Sequence, residues 1–344
     1  MLSRTAENLY WLARYVERAE NIARLLDVAL RMSGMPFDPG TGRSEWRSTI
    51  IASGCEKSFF AKYQTPTAET VIQHLVRDLD NPSSILSCLA TARRNSRAVR
   101  TALTVDMWEA INGTWLAARG FGDDAFRVSD IGRFLDWVKE RSTLFSGAVL
   151  GTMLQADAFW FTRLGTYVER ADATARILDV KYNVLLPGHE PVGGTLDHYQ
   201  WAAILTSVSS RRAYQWLYHD RIKPWLVAEL LILRPEMPRS LITCAREINY
   251  YLDVIGGTYD SRRECHELAG QILRQLNRTK VEQIMGGLHE FLTEFIDSNV
   301  ELGHKISRQY FQLAHLTRAA APAAGQTQTQ TQSQGHTQTQ SQQA

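Results

Sequence analysis

The chain has 344 residues, of which 44% are apolar, so it can bury a sizeable core in two or three domains. Its formal net charge of +2 gives no electrostatic reason to expect binding to nucleic acid or to an anionic membrane. Four well-separated cysteines form no CxxC or Cys/His cluster, which argues against a disulfide framework or a structural zinc site. The charged N-terminal segment does not resemble a signal peptide, and no apolar stretch is long enough to span a membrane, so we expect a cytoplasmic protein.

Helical periodicity dominates the first half of the chain. Apolar side chains recur every three or four residues from Leu12 to Leu30, which predicts a helix over residues 5–32. Asn81 and Ser129 are predicted to be N-caps, since both residue types favour that position and Pro82 suits the first helical turn. Further helices are predicted over residues 44–62, 67–75, 82–103, 105–118 and 130–151.

The second half has the same character until its last residues. Helices are predicted over residues 156–185, 196–214, 239–254, 259–277 and 280–316, with another after Pro224. No alternating β-branched run is long enough to predict a strand, so we expect an all-α fold. Residues 319–344 are rich in Gln, Thr, Ser and Ala and cannot bury a core, which predicts a disordered tail.

The first helix is repeated later in the chain. LARYVERAENIARLLDV, from Leu12 to Val28, returns as LGTYVERADATARILDV, from Leu164 to Val180, with 11 of 17 positions identical. Other landmarks recur at offsets of 154–156 residues: Pro82–Cys88 with Pro238–Cys244, Trp46 with Trp201, and Ile131-Gly132 with Met285-Gly286. We therefore predict two tandem homologous helical repeats, residues 1–152 and 153–318, related by an approximate twofold axis. Cys88 and Cys244 are equivalent within apolar patterns and are predicted to be buried packing residues.

Both copies of the repeated helix carry the same charged residues, which we call the two charged ladders. The first ladder is Glu17, Arg18, Glu20, Arg24 and Asp27, and the second is Glu169, Arg170, Asp172, Arg176 and Asp179. At about 100° per residue, the carboxylates and Arg24 of the first ladder fall on one helix face. Neighbouring residues changed between the copies: Arg14, Asn21 and Ile22 became Thr166, Ala173 and Thr174. The ladders are therefore the candidate ligand- or partner-binding residues.

Three interpretations of the ladders remain open. Exposed intrahelical ion pairs contribute only about 0.2–0.5 kcal/mol each, which is too little to explain five retained positions in both copies. A buried network between the two helices would explain the retention better, because losing one partner there costs about 3–5 kcal/mol. The ladders could instead line a cleft that binds a polar ligand. In either of these cases the two helices pack centrally, near each other.

Other candidate sites are weaker. Arg93, Arg97 and Arg100 are spaced as one basic helix face that could bind an anion, although pairing with acidic residues on neighbouring helices is the favoured explanation. Glu301 and His304 form one ExxH, and without a second copy it predicts no metal site. The sequence contains no Walker A, GxGxxG, HExxH or GxSxG motif, so we expect no cofactor.

Together, YVERAENIARLLDV, its second copy, the NPSSI segment and the later PRS segment resemble the alpha-E domain family, a bacterial all-helical family. The resemblance extends to about Leu316. Members typically lie in gene clusters beside a circularly permuted ATP-grasp ligase and a transglutaminase-like peptidase. The resemblance thus implies partners of these two kinds and a role in making or trimming amide-linked products. It also maps the family's named glutamate onto Glu17 and, through the repeat, Glu169.

The resulting functional hypothesis is an accessory or substrate-handling subunit of an ATP-dependent amide-ligation system. The ladders would bind a zwitterionic or peptide-like ligand, or the partner enzyme, with arginine holding a carboxylate and glutamate an ammonium group. An alternative is an enzyme in which Glu17 or Glu169, its pKa raised by burial and neighbouring carboxylates, acts as a general base. A third possibility is a purely structural scaffold.

Overall fold

A computed structural model describes residues 1–34, 45–185 and 195–311. These residues form helices, turns and loops without any strand, which confirms the predicted all-α class. No helix in the described ranges combines the length and apolarity needed to cross a membrane. The predicted tail, residues 319–344, lies outside the described residues, as does the end of the helix predicted over residues 280–316.

The element order is as follows. The first half contains α1 (Ser3–Ser33), α2 (Glu45–Ala52), α3 (Glu56–Phe60), α4 (Ala68–Ile72), α5 (Ile85–Ala98), α6 (Val105–Ala118) and α7 (Ile131–Thr152). The second contains α8 (Asp157–Leu185), α9 (Thr195–Ser207), α10 (Arg211–Tyr218), α11 (Pro224–Ala228), α12 (Leu241–Thr258), α13 (Glu264–Arg278), α14 (Val281–Met285) and α15 (Leu288–Tyr310). Single π-helical turns follow α4 (Gln73–Arg77) and α11 (Glu229–Leu233).

Two predicted helices are broken at a left-handed residue, and a third, predicted over residues 280–316, is divided into α14 and α15 at Gly286 and Gly287. The helix predicted over residues 44–62 is split into α2 and α3, and the one predicted over residues 196–214 into α9 and α10. The backbone takes a left-handed conformation at both breaks, with φ +71° at Gly54 and φ +59° at Ser209. A left-handed residue ends a helix because its backbone cannot continue the right-handed turn.

The two predicted N-caps are also wrong. Ser84 caps α5 by accepting a hydrogen bond from the Ser87 N–H (3.2 Å), three residues later than predicted. Asn81 is buried instead, and its amide donates to the His74 carbonyl oxygen (3.0 Å). Asp130 is the residue that precedes α7, and Ser129 only donates to its carboxylate. Each of these helices is preceded by several residues that favour the N-cap position, and their spacing alone does not identify which of them caps the helix.

The helices α1 and α8 lie at the centre of the molecule. A larger apolar core joins residues of both helices, including Leu12 and Leu164, while a smaller core packs the other side of α1, at Ala23, against α5. The two helices run in the same direction, since the Met1 ammonium group contacts the Asp157 carboxylate (3.1 Å) where both begin. This central position is the one predicted for the repeated helices.

Gly165 sets how closely these two helices approach. A Cβ atom at this position would lie 2.3 Å from the Tyr10 carbonyl oxygen, a distance that backbone atoms cannot accommodate without moving. A glycine on α8 therefore permits the contact on which the charged ladders depend, because it allows side chains further along to reach across.

We expect Gly165→Ala to lower the free energy of unfolding by about 1–3 kcal/mol, since the added methyl group forces the central helices apart. Gly147→Ala in α7 is the matched control: its Cβ meets no atom within 4 Å, so it should raise stability by about 0.5–1 kcal/mol. Urea unfolding followed by circular dichroism measures both changes. Equal midpoints for the Gly165→Ala variant and the wild type would contradict the close contact.

Candidate functional site

The two charged ladders meet in a pair of reciprocal ion pairs, which we call the crossed pairs. Arg18 on α1 places Nε 2.5 Å from Glu169 Oε1 and Nη2 3.0 Å from Oε2. Arg170 on α8 places Nε 2.8 Å and Nη2 2.9 Å from the two oxygens of Glu17. Each helix thus holds the other's glutamate with a two-point guanidinium contact, the strongest common form of ion pair. The prediction that the ladders lie near each other is confirmed.

Each glutamate has a second arginine, and the two second arginines come from different places. Glu169 Oε2 accepts from Arg14 Nε on α1 (2.7 Å). Glu17 Oε1 accepts from Arg239 Nη1, in the segment before α12 (3.1 Å). Arg14 is replaced by Thr166 in the second copy of the repeat, and Arg239 lies 222 residues from Glu17. Neither partner was predicted.

Burial and charge together fix the state of the two glutamates. Glu17 is 2% exposed and Glu169 is 4% exposed. Burial alone would raise both pKa values, but Arg170 and Arg239 lower the pKa of Glu17 to about 2, and Arg18 and Arg14 lower that of Glu169 to about 2. The raised pKa expected for a general base is therefore wrong. These carboxylates are ionised, fully engaged and weakly basic, as in a buried structural network.

The remaining ladder residues tie neighbouring segments to the central helices. Glu20 accepts from Arg24 Nε (2.8 Å), from Ser142 Oγ (2.5 Å) and from Arg239. Arg24 and Arg176 donate to the carbonyl oxygens of Ser207 (2.5 Å) and Ala52 (3.4 Å), beside the two left-handed residues. The outermost carboxylates also have partners: Asp27 contacts Arg31, Lys139 and Ser207, and Asp179 contacts His289.

A cavity of about 230 Å³ lies between α1, α8 and the bend that follows α2. Its polar wall includes Arg18, Asn21, Ser53, Ser83, Asp172 and Arg176. At about 30 Å³ per molecule of liquid water, it has room for several waters or for a small ligand group. The wall carries two guanidinium groups together with the carboxylates of Glu169 and Asp172, so positive and negative charges balance there.

Three polar atoms at this cavity have no hydrogen-bond partner within the described part of the chain. They are both amide atoms of Asn21 and Oδ1 of Asp172, and all three are buried. A buried polar atom left without a partner costs about 1–3 kcal/mol, so native proteins rarely retain one without a reason. The repeat does not point to Asn21, because the second copy has Ala173 at the equivalent position.

The predicted basic face is only partly formed. Because α5 ends at Ala98, Arg100 lies in the following turn, with its guanidinium group 5.1 Å from the centre of the Trp108 ring. Arg93 donates to Asn112 Oδ1 (3.0 Å), and none of Arg93, Arg97 and Arg100 is ion-paired with a carboxylate among the described residues. The described residues therefore provide no acidic partner for these arginines, and Arg100 lies beyond the α5 face. Anion binding by Arg93, Arg97 and Arg100 stays a prediction.

Other predicted residues have ordinary surroundings. Glu301 and His304 are exposed, with 3.9 Å between their nearest oxygen and nitrogen, and Glu301 also pairs with Lys305 and Arg308. Cys88 and Cys244 are fully buried, and burial raises both thiol pKa values to about 12. These two cysteines are confirmed as packing residues, because a thiol with so high a pKa does not ionise at neutral pH.

Ser58, His74 and Asp78 form a cluster of polar side chains that no sequence motif predicts. Ser58 Oγ lies 3.1 Å from His74 Nε2, and His74 Nδ1 lies 3.2 Å from Asp78 Oδ2, the order of contacts found in a Ser–His–Asp relay. Ser58 is exposed and His74 is buried, and burial lowers the His74 pKa. The Ser58 hydroxyl also donates to the Cys55 carbonyl oxygen (2.9 Å), and Lys62 pairs with the Asp78 carboxylate (2.9 Å).

A family model named Alpha-E, described as a predicted alpha-helical domain with a conserved ER motif, matches residues 1–311. The chain belongs to the Alpha-E family. In this Alpha-E protein the Glu-Arg dipeptide occurs at Glu17–Arg18, Glu140–Arg141 and Glu169–Arg170, and the first and third of these supply the four residues of the crossed pairs. Two of the three dipeptides of the kind named in the family description thus form the buried contact between α1 and α8.

The Alpha-E protein also matches longer proteins. Uncharacterised proteins of Mycobacterium bovis and Mycobacterium tuberculosis are each 23% identical to it over 298 residues, and a further Mycobacterium tuberculosis protein is 22% identical. Each alignment covers 82% of this chain and 33% of the relative, so the chain spans about a third of the length of these curated relatives. No solved structure gives a significant match.

We expect Glu17→Gln and Glu169→Gln each to lower the free energy of unfolding at pH 7 by about 3–5 kcal/mol, because buried guanidinium groups lose their counter-ion. Exposed Glu301→Gln is the control and should change it by less than about 1 kcal/mol.

Urea unfolding at several pH values tests the cause. The folded-state pKa of about 2 lies below the ordinary 4.5, so the stabilisation is fully present above pH 4.5 and is lost as the pH falls toward 2. The difference between wild type and either variant should shrink over that range. A Glu17→Gln protein as stable as the wild type at pH 7 would show that the crossed pairs do not hold the helices together.

Proposed function

We propose that this Alpha-E protein is an accessory, substrate-handling protein that binds a small zwitterionic or peptide-like ligand in the cavity beside the crossed pairs. The observation that carries the proposal concerns the side chain of Asn21, which lines the cavity and is 8% exposed. Neither atom of its amide group has a hydrogen-bond partner in the described chain. A primary amide offers two N–H donors and a carbonyl acceptor, the complement of a peptide group.

The charges around Asn21 support a zwitterion. Arg18 and Arg176 are suited to a carboxylate, and the unpartnered Oδ1 of Asp172 is suited to a cationic nitrogen. The cavity is smaller than the 300–1,000 Å³ or so typical of drug-sized ligands, which favours an amino acid or the end of a peptide. In this proposal most residues of the charged ladders form the buried network. Four of them also line the cavity: Arg18, Glu169, Asp172 and Arg176.

We place this ligand binding within an ATP-grasp-dependent amide-ligation system that includes a transglutaminase-like protein. This part of the proposal rests on the gene neighbourhood typical of the family. In the curated relatives the counterpart of this chain is joined to further sequence about twice as long, which supports a module that acts together with other domains. A module that presents a substrate to a partner needs a specific cavity and a rigid frame, and it does not need a nucleotide site of its own.

We also propose that the chain is an internal duplication with an approximate twofold axis and halves at residues 1–152 and 153–318. Matching local geometry supports this. The backbone N–H groups of Asp78 and Arg234 close the two π-helical turns at 3.0 and 3.1 Å, at an offset of 156 residues. Ser84 and Ser240 cap the helices that follow, at the same offset.

A second candidate function is acyl transfer or hydrolysis at Ser58, favoured by the contacts of Ser58, His74 and Asp78. It is the weaker of the two, because the Ser58 hydroxyl donates to the Cys55 carbonyl oxygen and is held within its own helix. We expect a fluorophosphonate to label the wild type no more than Ser58→Ala, as measured by intact-protein mass spectrometry. Stoichiometric labelling that disappears in both Ser58→Ala and His74→Ala would favour this enzyme function instead.

The ligand-binding proposal is tested with Asn21→Ala, which installs the residue that the other copy carries at Ala173. Removing an unpaired buried amide should leave the melting temperature equal or higher, while binding weakens by about tenfold or more. Thermal shift and calorimetry with a panel of amino acids and dipeptides measure both quantities, since a ligand raises the melting temperature according to its concentration and Kd.

Asn8→Ala is the matched control. Asn8 lies on α1 as well, but its amide donates to the Arg4 carbonyl oxygen at the surface (2.7 Å). It should leave ligand binding unchanged. If no amino acid or dipeptide stabilises the wild type at millimolar concentration, or if Asn21→Ala binds as well as the wild type, the cavity is not the site.

A further inference from the structure

Arg239 lies on the side of the central helices opposite the cavity, beside Glu17 and Glu20. Its position there corresponds to that of the cavity. Ser83 and Arg239 occupy equivalent positions, each directly before the serine that caps the next helix. Arg239 extends its guanidinium group to Glu17 and Glu20. On the other side, Ser83, Glu169 and Asp172 all line the cavity. The Ser83 side chain is too short to fill the space between itself and the two carboxylates.

The carboxylates on the two sides differ in the hydrogen-bond donors that the chain supplies to them. Arg239 bonds both carboxylates on its side, and Ser142 bonds the second oxygen of Glu20 (2.5 Å). Near the cavity, Arg14 supplies the second arginine to Glu169 only. Asp172 has Arg176 on Oδ2 (2.6 Å), and its buried Oδ1 has no partner in the described chain.

The shape of the cavity also favours a guanidinium group as its occupant. Asp172 is one methylene shorter than its counterpart Glu20, and Ser83 is much smaller than Arg239, so the cavity side offers the volume of a missing arginine head group. A guanidinium group is planar and presents its N–H donors as a fork, which lets one group bond two separate carboxylates. Arg239 does this with Glu17 and Glu20.

We propose that the cavity binds the guanidinium group of an arginine-like ligand, in the position that Arg239 occupies on the opposite side. The guanidinium group donates to Asp172 Oδ1 and lies against Glu169, and Asn21 bonds the polar backbone of the ligand. The substrate class is therefore free arginine or a peptide with an accessible arginine side chain. This inference rests on the proposed function, and it names the ligand for the same cavity.

The first experiment compares arginine with citrulline by calorimetry on the full chain. Citrulline keeps the length and shape of arginine but replaces the charged guanidinium group with a neutral urea, so it loses the charge-assisted hydrogen bond to Asp172. We expect arginine to bind about tenfold or more tightly than citrulline, and agmatine, which lacks the carboxylate, to retain the preference. Equal binding of arginine and citrulline would overturn the inference.

The second experiment fills the cavity from the chain itself. Ser83→Arg should place a guanidinium group beside Asp172, so we expect a melting temperature at or above that of the wild type and no detectable arginine binding. Asp172→Asn serves as the second variant, since it keeps the shape of the site and removes only the charge, and it should abolish the preference for arginine over citrulline. A folded Ser83→Arg protein that still binds arginine with wild-type affinity would also overturn the inference.

The outcomes separate the two proposals. If dipeptides without arginine bind in a manner that depends on Asn21, and arginine holds no advantage over citrulline, the guanidinium inference fails and the proposed function stands. If no member of the panel binds, both fail.

Discussion

The structure depends on two carboxylates that are buried while charged. Removing an ionised carboxylate from water is very costly unless it is fully paired, so Glu17 and Glu169 can be buried only if guanidinium groups surround them. Arg18 and Arg170 meet this requirement from the opposite helix. The position of α1 against α8 is thereby fixed in both distance and register, because a shift of one residue along either helix would separate each glutamate from its arginine.

The two sides of this centre are built differently. On one side Arg239, Arg24 and Ser142 satisfy the carboxylates with groups from the chain. On the other, Asn21 and one oxygen of Asp172 are left facing a cavity. The difference lies in residues that the two similar sequence segments do not share, because Asn21 and Ser83 correspond in sequence to Ala173 and Arg239.

The sequence predicted the all-α class, the central helices and the meeting of the ladders, because charges retained in two copies carry a signal that periodicity alone lacks. It did not predict whether the ladders are buried or exposed, since the same residue types serve either purpose. Arg239 was not identifiable as a partner, because contacts over 222 residues leave no local pattern. Asn21 and Arg14 were passed over for a different reason: comparing the copies emphasises what they share, and the cavity is formed where they differ.

The reciprocity of the crossed pairs has a consequence for the order of events during synthesis. When α1 leaves the ribosome, both arginines that neutralise Glu17 are still untranslated, since Arg170 and Arg239 belong to the second half. The N-terminal half must therefore wait in a form that keeps Glu17 hydrated, and it can close around its central helix only after α8 and the start of α12 have emerged. Burial of Glu17 is therefore a late step in the folding of this chain, because its two arginine partners lie 153 and 222 residues downstream.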